Sequence, residues 1–140
     1  MSLAVVYSRA LSGMAAPLVE VEAHLANGLP AFNIVGLPDT EVKESRDRVR
    51  AAIIQSGFDF PAKKITVNLA PADLPKESGR FDLPIAVGIL AASGQIAISP
   101  EELAKYELAG ELALSGLLRP VRGALAMVWQ NTQARHRFIL

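Results

Sequence analysis

The sequence predicts an α+β domain in which helices pack on one face of a mixed β-sheet. Two observations lead to this prediction. Segments with apolar–polar alternation at a period of two, which is typical of half-buried strands, come first and carry hairpin signals. Strand–helix–strand units follow them along the chain. Hairpins followed by such units indicate two layers, one a mixed sheet and the other made of helices.

Length and composition predict one ordinary folded domain. The chain has 140 residues, of which 51% are hydrophobic and 20% charged. A domain of this size buries roughly 68% of the surface of its unfolded chain, which suffices for a core without metal or disulfides. The absence of cysteine excludes thiolate metal sites and cysteine nucleophiles, and the two histidines, His24 and His136, have no ligand spacing.

Charge and hydropathy limit the classes of partner. Fourteen basic residues balance 14 acidic ones, so the whole chain is not marked as a nucleic-acid or membrane binder. No segment reaches the roughly 18 to 20 continuous apolar residues of a membrane span, and the first residues lack a signal-peptide pattern. We therefore expect a cytoplasmic protein with no membrane partner.

The first three strands are predicted from alternation and turn signals. Leu3 to Ser8 and Leu18 to Leu25 are predicted strands, with His24 on the polar, solvated side of the second. Asn27-Gly28 favours a tight turn into Pro30 to Val35, so the second and third strands are predicted to form a hairpin.

A first helix is predicted from Thr40 to Ser56, ending at Gly57. Asp39 or Thr40 is the expected cap, and Glu44 and Arg48 form an i,i+4 pair. The predicted buried stripe is Val42, Val49, Ala52, Ile53 and Ser56. The many other charges of this helix are interpreted as a solvated face.

A buried strand and a buried helix follow. Lys63 to Leu69 is a predicted strand, and a Pro- and Asp-rich loop from Ala70 to Gly79 leads to a central helix, Phe81 to Ser93, with Asp82 as its expected cap. That helix is apolar almost all round, which is typical of a buried element. Its residues expected to be largely buried are Leu83, Ile85, Val87, Ile89 and Leu90.

The last quarter of the chain is predicted to contain three strands and a helix. After an acidic connector at Ser99 to Glu102, these are strands at Tyr106 to Leu114 and Leu117 to Val121, a helix at Gly123 to Ala134, and a strand at Arg137 to Leu140. A four-residue strand is an unusual terminus for a natural protein. We therefore expect residues 1–140 to be a single domain cut from a longer protein.

One loop resembles an anion site. Lys76 and Arg80 flank the entry to the central helix, where backbone N–H groups can hold an anion. The alternative is a plain helix-entry loop. The phosphate-loop pattern G-x-x-x-x-G-K-[ST] does not occur in the 140 residues, which excludes nucleotide hydrolysis by that route.

Three stretches resemble the N-terminal domain of the ComM/YifB family, magnesium-chelatase-like AAA+ ATPases. They are GLPDTEVKESRDRVRAAI, ITVNLAPADLPKESGRFDLPIAVGILAASGQI and YELAGELALSGLLRPVRGAL. The resemblance implies a Lon-protease-like two-layer fold, shared with a ribosomal-protein domain and GHMP kinases. It also implies a following ATPase module that binds ATP and Mg²⁺, with no cofactor in this domain, and a hexameric DNA helicase for branch migration during natural transformation.

The resemblance also allows the Lon protease motifs to be checked. The Lon nucleophile lies in P-K-D-G-P-S-A-G, and the aligned segment from Pro75 puts Arg80 at the serine position. The activating lysine ends G-E-x-x-x-x-G-x-x-x-P-x-G-G-x-K, and Leu125 stands there. Ser78 lies two residues early, and no lysine follows Lys105. Because a serine needs a nearby base to become nucleophilic, we expect no peptidase activity. The bulk and carboxylate at Phe81-Asp82 disfavour a kinase-type phosphate loop.

Three functions remain in order of preference. The first is an accessory domain that contacts DNA or supports hexamer assembly with the domain's own AAA+ module and other subunits. The others are a protein-interaction module without DNA contact and a divergent peptidase using Ser78. The expected DNA-binding residues form one basic patch: Lys76, Arg80, Arg119 and Arg122. In the alternative, Arg80 pairs with Asp82 or Glu77 and braces the loop.

Overall fold

The chain is built on a six-stranded mixed sheet, shown by a computed structural model that describes residues 2–11, 15–72, 74, 76, 79–119 and 137–139. The strand order is β3-β4-β2-β1-β5-β8, and β6 and β7 form a separate two-stranded sheet. The predicted α+β class is confirmed. The strands are β1 (Ser2–Arg9), β2 (Leu18–Ala26), β3 (Ala31–Val35), β4 (Lys64–Ala70), β5 (Tyr106–Leu108), β6 (Glu111–Leu112), β7 (Leu118–Arg119) and β8 (Arg137–Ile139).

Alternation along the two central strands places the core on one face of the sheet. The side chains buried there are Val19, Val21, Ala23 and Leu25 from β2 and Ile65, Val67 and Leu69 from β4. The intervening Glu20, Glu22 and His24 are exposed or half-buried on the other face. The period-two pattern therefore predicted these strands and their faces correctly.

The predicted hairpin between β2 and β3 is wrong. β4 lies between them, antiparallel to β2 and parallel to β3. A central strand forms hydrogen bonds along both of its edges, and β4 buries three aliphatic side chains completely. β3 pairs only with β4 and therefore forms one edge of the sheet. The Asn27-Gly28 turn does reverse the chain, but the next helix then brings β4 into the gap.

Two helices cover the core face. Helix α1 (Asp39–Gln55) buries Ser45, Val49, Ala52 and Ile53, and it ends before Gly57, whose φ of +87° suits glycine. Val42 is only half-buried, Ser56 is exposed, and neither Asp39 nor Thr40 caps the helix with its side chain.

Helix α2 (Asp82–Ala92), preceded by a 3₁₀ turn (Gly79–Phe81), lies against the centre of the sheet. Ile85 and Ile89 are fully buried and Leu90 is 9% exposed. Leu83 and Val87 are only half-buried, contrary to expectation. A Cβ at Gly88 would lie 3.1 Å from the Cβ of Ala23, so glycine permits this close approach of helix and sheet.

The elements after α2 are shorter and more divided than predicted. The acidic connector contains a short helix α3 (Pro100–Leu103), whose first turn is capped by Ser99. The predicted strand at Tyr106 to Leu114 is divided into β5 and β6, which belong to different sheets. The predicted helix at Gly123 to Ala134 lies outside the described residues. Within the described ranges, no helix has both the length and the apolar character needed to cross a bilayer.

Candidate functional site

The buried polar side chains gather at the end of the sheet where β1 finishes and α2 begins, which we call the polar end. Tyr7, near the end of β1, is in register with Glu107, and Gly110 donates its N–H to the carbonyl oxygen of Arg80 at 2.8 Å. The buried polar residues of the described chain are Ser8, Arg9, Ser45, Lys76, Arg80, Asp82 and Glu107. Polar groups are buried at low cost only when they are paired, so the partners define the site.

Asp82 is the centre of the largest hydrogen-bond network. Arg48 donates from Nε to Asp82 Oδ2 at 2.6 Å, and Ser45 donates from Oγ to Oδ1 at 2.7 Å. The backbone N–H of Leu112 donates to Oδ2 at 3.1 Å. Asp82 therefore ties α1 and the β6–β7 hairpin to the start of α2. The sequence predicted Asp82 as the cap of α2, and this prediction is wrong because its side chain makes no capping bond.

Burial and pairing act in opposite directions on this ion pair. Burial raises the pKa of Asp82, and the hydrogen bonds from Arg48, Ser45 and Leu112 counter only part of this rise. Burial alone would lower the pKa of Arg48, but the hydrogen bond to Asp82 and the nearby carboxylates outweigh it and raise that pKa. Arg48 thus stays a cation beside a carboxyl group that is costly to ionise.

The two segments that resemble the Lon motifs are neighbours in the structure. Besides the bond from Gly110 to Arg80, Leu83 donates its N–H to the carbonyl of Gly110 at 3.0 Å. A Cβ at Gly79 would lie 2.5 Å from Glu111 Oε1, so a side chain there would force Glu111 to move. The segment entering α2 is therefore held tightly against the start of β6.

Lys76 and Arg80 lie inside this junction. They are 3% and 2% exposed, and the Lys76 ammonium donates to the carbonyls of Pro71 at 2.6 Å and Leu74 at 2.8 Å. Arg119 is exposed and lies 3.9 Å from Glu111, while Arg122 lies outside the described residues. Because Lys76 and Arg80 are buried, they do not form the expected surface patch. DNA binding by the four residues stays a prediction.

A second buried ion pair joins the last residue of β1 to β5. Arg9 donates from Nε to Glu107 Oε1 at 2.7 Å and from Nη2 to Oε2 at 2.9 Å, and its Nη1 bonds the carbonyl of Ala16 at 3.0 Å. The adjacent Ser8 hydroxyl is fully buried and has no hydrogen-bond partner among the described residues. The described residues also contain no group of three His, Asp or Glu side chains able to hold a metal ion.

The buried roles of Ser45, Arg9 and Glu107 were not predicted from the sequence. Arg48 was predicted only to pair with Glu44, which the structure shows at 3.6 Å, and not to bind Asp82. A serine in the apolar stripe of a helix is the one signal that pointed to a buried polar partner, since Ser45 lies three residues after Val42 and four before Val49. The partners of the two arginines are distant in sequence, by 34 residues for Arg48 and 98 for Arg9. Local patterns do not reveal such pairs.

The fold and the polar end describe an α+β domain whose buried charges brace the junction between sheet and helices. The sequence model of the family described as subunit ChlI of Mg-chelatase matches residues 21–140. An uncharacterized protein YifB of Salmonella typhimurium is 59% identical over all 140 residues, and the competence protein ComM of Haemophilus influenzae is 56% identical. An uncharacterized protein of Mycobacterium bovis is 43% identical over 129 residues.

The chain belongs to the magnesium-chelatase ChlI family and, within it, to the ComM/YifB proteins. The resemblance noted in the sequence is thus confirmed. The match covers 100% of this chain but 27% of the Salmonella and Haemophilus proteins, and 91% of this chain but 25% of the Mycobacterium protein. The chain therefore spans about a quarter of the length of these relatives.

Proposed function

We propose that this chain is a non-catalytic accessory domain of a ComM-like AAA+ ATPase that acts on DNA. The whole protein would bind ATP and Mg²⁺ in its ATPase module and work in the cytoplasm as a hexameric helicase in branch migration during transformation. This domain would contribute DNA contact or hexamer assembly. Membership of the ComM/YifB proteins and the similarity to a competence protein of Haemophilus influenzae support the proposal.

The placement of Arg80 is the observation that carries the non-catalytic role. Arg80 stands at the position of the Lon serine, is 2% exposed, and accepts a backbone hydrogen bond from Gly110. Neither a hydroxyl nor open space is present at this position. Without a serine and a lysine in contact, no hydroxyl is deprotonated for attack on a carbonyl.

A probe of serine reactivity tests this role. The 140-residue chain should not be labelled by a fluorophosphonate, should not cleave an unstructured protein such as casein, and should not hydrolyse ATP. Labelling that disappears in Ser78→Ala would establish a nucleophilic serine and overturn the non-catalytic role.

A second function, contact with a second copy of this chain, is favoured by the exposed leucines of the β6–β7 hairpin. Leu114 is 60% exposed, Leu117 72% and Leu118 43%. Apolar side chains grouped at one hairpin are typical of contact surfaces. Sedimentation should show self-association of the chain that Leu117→Ser weakens. A monomer at all concentrations would remove self-association as the use of this hairpin.

A further inference from the structure

One flank of α1 carries three cations that the polar end does not use. Lys43, Arg46 and Arg50 follow at i, i+3 and i+7, a spacing that places them along one side of a helix. Lys43 and Arg50 are exposed and Arg46 is half-buried. We call these three residues the cationic ridge.

In the part of the chain that the structure describes, the cationic ridge takes part in no ion pair. Among the described residues, no carboxylate oxygen lies within 4.0 Å of its three side chains, although Asp39 and Asp47 lie on the same helix. The contrast is with Arg48, which approaches Glu44 at 3.6 Å and Asp82 at 2.6 Å. Asp39 and Asp47 lie four residues before and four after Lys43, on the same side of the helix, so this side carries three cations against two carboxylates and a net charge of +1.

Uncharged groups hold its two arginines in place. Arg46 donates from Nη1 to the carbonyl of Phe32 at 3.1 Å, and the Arg50 guanidinium lies 5.0 Å from the centre of the Phe60 ring. The rings of Phe32 and Phe60 are themselves packed at 5.3 Å. A guanidinium has five N–H donors, so each arginine keeps several for a ligand. Because the side chains are already ordered, binding costs less conformational entropy.

We propose that the cationic ridge binds the phosphodiester backbone of DNA; this inference rests on the proposed function. Arginine is suited to phosphate by its planar donors, and lysine by its compact charge. Seven residues of helix rise about 10 Å, which corresponds to about three nucleotides of one strand at about 3.4 Å each. Contact with phosphates makes binding independent of base sequence.

Salt-dependent DNA binding by the 140-residue chain tests the proposal. Affinity for an oligonucleotide, as duplex and as single strand, is measured over a range of salt for the wild type and for Lys43→Ala/Arg50→Ala. Removing two phosphate contacts should flatten the slope of log K against log salt by about 1.8 for duplex. Over a fourfold rise in salt, the wild type should therefore lose about 12-fold more affinity than the variant.

Two controls separate charge at the ridge from charge in general. Lys43→Arg/Arg50→Lys keeps both cations in place and should retain the wild-type slope. Lys105→Ala removes a remote cation that lies 3.0 Å from Glu102, and it should also leave the slope unchanged. Circular dichroism confirms that each variant is folded.

Each outcome decides between the inference and the proposed function. If the slope is flattened in the double alanine variant and unchanged in both controls, DNA binding by the cationic ridge is supported. Strong wild-type binding with an unchanged slope in that variant overturns the ridge and leaves DNA contact by another surface. If the wild type does not bind either oligonucleotide at low salt, DNA contact by this domain is wrong and only the assembly role of the proposed function remains.

Discussion

The two flanks of α1 use the same residue types in opposite ways. Arg48 turns inward, has a side chain that is 20% exposed, and binds the buried Asp82. Arg50, two residues later, is exposed and contacts only an aromatic ring among the described interactions. Arg48 and Arg50 are only two helical positions apart. Arg48 stabilises the junction of α1, α2 and the β6–β7 hairpin, whereas Arg50 is available to a partner. The run of charges in this helix is therefore not the uniform solvated face that the sequence indicated.

The largest expected loss of stability comes from removing Arg48, which lies on the side of α1 that faces Asp82. Arg48→Ala leaves the Asp82 carboxylate buried with only Ser45 and the Leu112 N–H as donors, and removing one partner of a buried pair costs about 3 to 5 kcal/mol. Urea unfolding measures this loss. A loss below about 1 kcal/mol would show that the Asp82 network does not stabilise the fold.

Leu90→Ala gives a reference for purely apolar burial on the same helix as Asp82. Leu90 lies on α2 and is 9% exposed. The variant should lose about 2 to 5 kcal/mol in the same urea experiment, because the removed methyl groups leave a cavity. Unchanged stability would mean that α2 is not the centre of the core.

The pH dependence of stability tests the state of Asp82. Its pKa in the folded protein is raised above 3.8, so between 3.8 and the raised value the folded state binds more protons than the unfolded state. Stability from this group is therefore greatest at low pH and falls as pH rises through that window, by at most about 1.4 kcal/mol per pH unit.

Asp82→Asn removes the titrating group while keeping its shape. Unfolding of wild type and variant is compared from about pH 3 to 7, where the other carboxyl groups cancel in the difference. The stability of the wild type relative to the variant should decline with rising pH. An increase would mean that pairing with Arg48 lowers the pKa of Asp82 instead.

The outward flank should give the smallest effect. Arg50→Ala removes the contact with the Phe60 ring, and exposed contacts of this kind contribute about 0.5 to 1 kcal/mol. Thermal unfolding of this variant beside Arg48→Ala measures the difference between the flanks directly. Equal losses in the two variants would remove the distinction drawn between them.

The sequence predicted elements better than it predicted neighbours. Alternation located β2 and β4 and their buried faces, because a strand half in contact with a core repeats every two residues. Alternation did not predict that β4 lies between β2 and β3. Strand pairing depends on the path that the chain takes through α1, which connects β3 to β4. Likewise, the signals for Tyr106 to Leu114 described one strand, whereas the chain changes sheet at Ala109-Gly110.

The candidate site was predicted in location and not in detail. The comparison with the Lon motifs drew attention to the segments around Arg80 and Gly110, and backbone hydrogen bonds join Gly110 to Arg80 and Leu83. The burial of Lys76 and Arg80 was not predicted. A basic residue can be buried when folding brings carbonyl acceptors to it, as the carbonyls of Pro71 and Leu74 do for Lys76, and the sequence alone does not show this. The ion pairs of Arg9 and Arg48 join distant segments, and no local spacing encodes them.

The position of β4 also has a consequence for synthesis of the protein. Pairing along the edge of β2 that receives β4 can begin only after 38 further residues, since Ala26 pairs with Lys64. At about 5 to 20 residues per second, the ribosome needs about 2 to 8 s to supply them. During this interval the nearest available strand is β3, delivered early by the Asn27-Gly28 turn. Any pairing of β2 with β3 during this interval has to give way before β4 can occupy the same edge of β2.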